Sequence, residues 1–147
     1  MDAWRENVLD EDARIGDLLR SSRRIAVLGM KGEDRAGEAA FYVPKYLAEH
    51  GAEVVPVPVY YPEAREMLGA KVYRTVAEVP GAVDIVDVFR RAKDIPAHLA
   101  DIQAKRPRAV WFQLGIVADA AAEALARAGI LVVQDRCLMV EWRRHRG

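Results

Sequence analysis

The sequence predicts an α/β protein: a doubly wound parallel sheet of about five strands with helices on both faces. Three observations lead there. Short apolar, β-rich runs recur at residues 24–29, 53–57, 83–89, 109–113 and 130–133. Helical patterns separate them, which implies right-handed crossovers and parallel strands covered on both sides. The first run ends on Gly29 and opens a loop containing Gly32 and Gly37 ahead of a helix, a nucleotide-binding arrangement.

The elements follow in order. Asp10, Glu11 and Asp12 open a helix over about 10–20, with Ile15, Leu18 and Leu19 on one face. Acidic residues suit the first turn because the helix dipole is positive there. After the strand at 24–29, residues 30–40 read as a long loop. The next helix starts near Phe41, which places Pro44 in its first turn, where the missing N–H costs little. Gly51 closes that helix. Pro56 within the strand at 53–57 requires a position that needs no ladder donor.

Residues 58–81 read as irregular, with short helices near 63–68 and 75–79. Asp94 caps a helix over 95–105 that carries Pro96 in its first turn. An alanine-rich helix spans 118–128 and Gly129 ends it. The tail over 137–146 reads as helical and ends basic. At 147 residues the chain is expected to form one domain, 1–147, with its core over 24–134.

Bulk chemistry narrows the function. The apolar fraction of 52% fills one core, and the formal net charge of zero gives no global attraction to nucleic acid or to an anionic membrane. No apolar run approaches the roughly 18 residues of a membrane span. The N-terminal residues lack an apolar signal core. A single cysteine, Cys137, excludes an internal disulfide. The expected compartment is the cytoplasm.

In open α/β sheets, ligands bind beyond the carboxyl ends of the strands. Lys31 and Arg35 follow the first strand in a glycine-containing loop facing a helix N-terminus. They form an anion site or are solvated loop charges. Phe89, Arg90, Arg91 and Lys93 follow the third strand. An arginine there stacks on a base or forks a phosphate, or else Phe89 is core and the charges are rim. Gln113 and Gly115 follow the fourth strand and suit close backbone approach of a ligand or a plain tight turn. Val57, Pro58, Val59 and Tyr60 offer a flat wall for an adenine ring or a stiff connector.

Catalytic and metal constellations are not evident by spacing. His50, His98 and His145 follow no strand. Asp84 and Asp87 stand at i, i+3 on a strand and so face opposite ways. Cys137 with one histidine nearby is not a metal set. The glycines at 29, 32 and 37 do not match G-x-G-x-x-G, and Glu63 falls late for a ribose-binding acid, so an ordinary NAD site is disfavoured.

Seven segments, in order over about residues 10–142, resemble one family. They are Ile25-Ala26-Val27-Leu28-Gly29, Lys45-Tyr46-Leu47, Val55-Pro56-Val57, Leu68-Gly69-Ala70-Lys71-Val72-Tyr73, the run from Val83 to Arg90, the run from Val110 to Gly115, and Asp135-Arg136-Cys137. The family is that of small stand-alone coenzyme A-binding proteins, related to the corresponding domain of the succinyl-CoA synthetase alpha subunit. The resemblance implies a Rossmann-like domain with coenzyme A at the strand carboxyl ends. It maps the family's first loop onto Gly29, Met30 and Lys31, its third-strand segment onto Phe89 and Arg90, and its fourth-strand turn onto Gln113 and Gly115. The chain departs where the family has a small residue and serine (here Met30 and Lys31), Asn-Pro (here Pro58 and Val59), and serine at the first crossover helix (here Ala40). The larger synthetases add a domain with a phosphorylated histidine, so complete ligase chemistry is not expected.

The expectation is therefore a module that binds coenzyme A or an acyl-CoA without catalysis of its own. Lys31, Arg35 and backbone N–H groups around Gly29 to Gly37 would hold phosphates. Val57, Pro58, Val59 and Phe89 to Arg91 would flank adenine or ribose. The pantetheine arm would run toward Gln113 and Gly115. The competing readings are an NAD-type enzyme and a subunit that docks a protein partner through Trp142 and the basic tail.

Overall fold

A computed structural model describes residues 2–146. Its main sheet has five parallel strands: β1 (Arg24–Leu28), β2 (Glu53–Val57), β5 (Ile85–Val88), β6 (Ala109–Phe112) and β7 (Leu131–Val133), in the order β2-β1-β5-β6-β7. The short strands β3 (Glu66–Met67) and β4 (Ala70–Lys71) form a separate antiparallel ribbon. The helices are α1 (Asp12–Arg20), α2 (Ala39–Glu49), α3 (Leu99–Lys105), α4 (Asp119–Arg127) and α5 (Leu138–Arg146). The α/β doubly wound, Rossmann-like architecture is as the sequence predicts. No helix among the described residues is long and apolar enough to cross a membrane.

Alternate residues of each strand feed opposite faces of the sheet. Ile25, Val27, Ile85 and Trp111 pack on one face with Ile15, Leu18 and Leu19 of α1, Val43 and Leu47 of α2, and Leu138 and Trp142 of α5. Ala26, Leu28, Val86, Val88, Val110 and Phe112 pack on the other with Ile102 of α3 and Leu125 and Ala126 of α4. Both sides of the sheet are thereby dry, which explains why its strands read as near-continuous apolar runs. Pro56 sits on β2, an edge strand, and its carbonyl accepts the Tyr73 N–H at 3.0 Å on the side away from β1. The missing N–H thus costs no ladder bond.

Four expectations are corrected. Residues 63–68 and 75–79 are not helical. Leu68 and Gly69 instead take φ of 52° and 74° at the centre of the β3–β4 hairpin, the two positive angles that a tight type I′ connection needs. The first crossover helix, α2, begins at Ala39 rather than Phe41, so Pro44 is its sixth residue. The segment expected as one helix over 95–105 divides into a 3-10 helix, Ala92–His98, followed by α3. Pro96 lies inside the 3-10 part, where its absent N–H interrupts regular α-helical bonding.

The basic tail is helical, as expected, and packs against the rest of the chain. Trp142 is 1% exposed, and its Nε1 donates to the His50 carbonyl at 3.0 Å. Arg146 donates to the carbonyls of Leu19 and Ser22 and lies 4.2 Å over the Trp142 ring. Trp142 and Arg146, expected to serve an outside partner, are thus engaged within the chain.

The sheet order sets the location of a binding crevice. From β1 the chain moves outward to β2, then returns past β1 to β5 and continues outward to β6 and β7. The crossovers diverge between β1 and β5, the topological switch point. Gly29 lies there with φ +86°, and a Cβ on it would meet the Phe89 carbonyl oxygen at 2.5 Å. Gly69 has φ +74° but open space around it. Gly29→Ala should therefore destabilise by about 2–4 kcal/mol, against about 1–2 kcal/mol for Gly69→Ala. Urea unfolding of the two variants measures the difference.

Candidate functional site

An open groove of about 420 Å³ lies at the switch point. Loops after four strands line it: Lys31 after β1; Phe89, Arg90 and Arg91 after β5; Gln113, Leu114 and Ile116 after β6; and Cys137 after β7. The first turn of α2 supplies Glu38, Ala39, Ala40 and Tyr42. A larger hollow of about 560 Å³, lined by Trp4, Arg5, Asp119 and Gln134, lies at the β7 edge of the sheet instead.

The groove has a chemical polarity fixed by strand order. Its β1 and β5 end is cationic. Lys31 Nζ lies 2.6 Å from Glu38 Oε1, and Arg35 Nη1 lies 3.4 Å from Glu38 Oε2. Arg91 Nε is 3.1 Å and Arg90 Nη2 3.9 Å from the Asp94 carboxylate. The lining itself carries three cations, Lys31, Arg90 and Arg91, against one carboxylate, Glu38, so positive charge remains over at this end. Arg90 Nε is buried without a hydrogen-bond partner. The hydrogen bond from Lys31, with the charges of Lys31 and Arg35, holds the Glu38 carboxyl below its usual range despite some desolvation. Toward β6 and β7 the lining is Leu114, Ile116 and the half-buried Cys137. Three strand spacings separate β1 from β7, roughly 14 Å.

Local sequence places the Lys31 loop. Pro44 cannot donate to the Ala40 carbonyl, the acceptor four residues earlier in α2. That carbonyl accepts the Lys31 N–H instead, at 3.1 Å. Glu38 is the N-cap of α2 but makes no side-chain cap bond, its carboxylate being held by Lys31. The N–H groups of Ala39 and Ala40 thus stand uncapped at the start of an eleven-residue helix that borders the groove.

Below the groove lies Asp87. It is fully buried on β5, between Val27 of β1 and Trp111 of β6. Gln113 Nε2 donates to its Oδ1, and Oδ2 has no partner. Burial raises its pKa to about 8, only partly offset by the Gln113 hydrogen bond, so the carboxyl is mainly protonated at neutral pH. Because Asp87 takes the Gln113 N–H, the Gln113 Oε1 remains an acceptor. Asp84 serves elsewhere: its carboxylate accepts the Arg23 and Arg24 N–H groups, each at 2.8 Å. Burial, with the nearby Arg90 charge, pushes His98 below the usual histidine range.

Of the residues expected at a site, Lys31, Phe89, Arg90, Arg91 and Gln113 line this groove, and Gly29 forms its floor turn. Met30 is 1% exposed and packs in the core. Arg35 and Gly37 lie on the exposed loop beside it, with Arg35 also 3.9 Å from Asp34. Val57 and Pro58 are buried at the end of β2, and Val59 is exposed beyond it; none lines the groove. Gly115 is exposed, and its N–H donates to Asp135 Oδ1 at 2.7 Å, tying the β6 and β7 turns together. Sequence reasoning missed Glu38, Ala39 and Tyr42 because it began α2 too late. It missed Asp87 because only the fold shows which face of β5 lies under the groove.

The raised Asp87 pKa has a sign that can be tested. The unfolded carboxyl ionises near pH 4, while the folded one holds its proton until about pH 8. Between those values the folded state binds more protons, so this group makes stability fall as pH rises. Asp87→Asn, which mimics the neutral acid, should match the wild type near pH 4 and exceed it by a few kcal/mol at pH 8. Urea unfolding across that range reads the divergence; parallel curves would contradict it.

Comparison with known proteins places the chain in a family. The model of the CoA binding domain family matches residues 23–143. An uncharacterised Bacillus subtilis protein, YneT, is 34% identical over 128 residues, covering 87% of this chain and 91% of its own length. A solved Thermus thermophilus structure shares 38% identity with a TM-score of 0.84, over 92% of this chain and 99% of that one. A dinucleotide-forming acetyl-coenzyme A synthetase from Ca. Korarchaeum cryptofilum shares the fold at 20% identity and TM-score 0.64, with 80% of this chain matching 27% of that one. By the extent of these matches, the chain belongs to the CoA binding domain family.

Proposed function

We propose that the chain binds coenzyme A, free or acylated, in the groove at the β1–β5 switch point, without catalysing a reaction of its own. The observation that carries this is the groove's polarity: cations and uncapped helix N–H groups at one end, apolar lining and a thiol at the other. Coenzyme A has the matching polarity, with phosphates on the nucleotide half and a thiol at the end of the pantetheine arm. Lys31, Arg90, Arg91 and the first turn of α2 take the phosphates. The Phe89 ring packs against the nucleotide. The Gln113 Oε1, fixed as an acceptor by Asp87, takes a pantetheine amide N–H. The arm ends near Cys137. Groove-lining residues include no histidine, and Asp87 is buried beneath rather than exposed in it; both points favour binding over group transfer.

A thermal-shift titration tests the reading. Coenzyme A at about a hundred times its dissociation constant should stabilise by roughly 2.7 kcal/mol, a rise of roughly 5–11 °C. Dephospho-coenzyme A should give a smaller rise, and NAD none. Lys31→Ala should weaken coenzyme A binding about ten- to hundredfold. Glu38→Gln should release Lys31 and Arg35 from their shared carboxylate and tighten binding roughly two- to fivefold. No rise with any form of coenzyme A on ligand-free protein overturns the proposal.

A further inference from the structure

A second cluster lies away from the groove, where α1 packs on α5. Glu141 and His145 stand at i, i+4 on α5 and so share one face of it. Asp12, in the first turn of α1, closes the third side. His145 Nε2 is 3.5 Å from Asp12 Oδ1 and 3.5 Å from Glu141 Oε1, and one ligand atom from each of the three residues lies within 4.8 Å of the others. The His145 and Glu141 side chains are both nine-tenths buried. His145 Nε2 has no hydrogen-bond partner although it is out of water.

We propose that Asp12, Glu141 and His145 form a binding site for a zinc-class divalent cation, with a fourth position left for water. The spacing supports this directly. Ligands bonded at about 2.0–2.1 Å to a tetrahedral ion lie about 3.3–3.4 Å apart. The two separations from Nε2 are close to that and too long for good hydrogen bonds. A metal would give the unpartnered Nε2 a bond, and one nitrogen with two carboxylate oxygens is a donor set suited to zinc.

The close approach of His145 is built into α1. A Cβ at Gly16 would lie 2.7 Å from His145 Nδ1 and 2.9 Å from the Arg20 guanidinium. Only glycine leaves the ring this space without a shift of His145 or Arg20, at the expense of helix propensity. Besides Arg20, which stands beside the His145 ring, the cluster faces two more arginines. Arg144 forks the Asp12 carboxylate, with Nη1 2.6 Å from Oδ1 and Nη2 donating to Oδ2 at 2.8 Å, and its Nη1 is 3.3 Å from Glu141 Oε1; Arg136 Nη1 is 3.9 Å from the same glutamate oxygen. Arg144 is half-exposed and can swing into solvent. It acts as the competing cation that metal displaces.

The test is a zinc titration of the full, tag-free, chelator-stripped chain in competition with a chromophoric chelator. The wild type is expected to bind one equivalent. His145→Ala and Glu141→Gln should each weaken it about tenfold or more, with unchanged circular dichroism. Arg144→Gln should tighten it several-fold, because a competing charge is gone. Cys137→Ser and His50→Gln should leave it unchanged. Absence of a wild-type equivalent, or an affinity equal in wild type and His145→Ala, overturns the site. Arg144→Gln with unaltered or weaker affinity also overturns it, since the cluster would then be an ion-pair network alone.

Discussion

The backbone turn at Gly29 runs against the Phe89 carbonyl, and this contact governs how both loops leave the switch point. A Cβ at position 29 would sit 2.5 Å from that oxygen. β1 and β5 are paired from Ile25↔Ile85 to Leu28↔Val88, so the two strands end level with one another. Phe89 N–H donates to Leu28 O, and Gly29 N–H donates to Val57 O, each at 2.8 Å. Three strand ends are thereby bonded into one corner. The loops bearing Lys31 and Arg90 depart from that corner side by side, so both cations line one groove without any sequence proximity.

The cationic end depends on a less obvious arrangement. Proline in a helix interior normally leaves an orphaned carbonyl and a kink. Here the Ala40 carbonyl that Pro44 cannot serve is taken by Lys31 N–H. The cost of a proline at the sixth helical position is offset by an anchor for the loop that carries the lysine. Glu38 then holds Lys31 and Arg35 in place of an anion. A carboxylate in that role keeps the cations ordered and prevents their mutual repulsion from spreading the loop. A ligand phosphate has to replace it, which trades one charge-assisted contact for another.

Much of the sheet was legible in the sequence because strand signals here are strong. The runs at 53–57 and 109–113 are apolar and bounded by glycine or proline, and the strands match them within a residue or so. Helix starts were harder. Pro44 argued for a later start, so the first turn of α2 was read as loop. The β3–β4 hairpin was missed because Leu68-Gly69 is a weaker turn signal than Asn-Gly, and each strand has only two residues. Lys31, Phe89, Arg90 and Gln113 were singled out because each closely follows a strand, and all four line the groove. Val57 to Val59 also follow a strand, but β2 is at the sheet edge, one strand away from the divergence. Asp12, Glu141 and His145 are brought together by packing of the chain's two end helices, which no local spacing reveals.

The central claim is that the ligand occupies the switch-point groove, and the most direct measurement is amide chemical-shift mapping by NMR during titration with coenzyme A. The account predicts the largest shifts at residues 29–31, 38–40, 89–91, 113–116 and 137, with the signals of Trp4 and Asp119 unmoved. Shifts concentrated around Trp4, Asp119 and Gln134, at the hollow on the β7 edge, would contradict it.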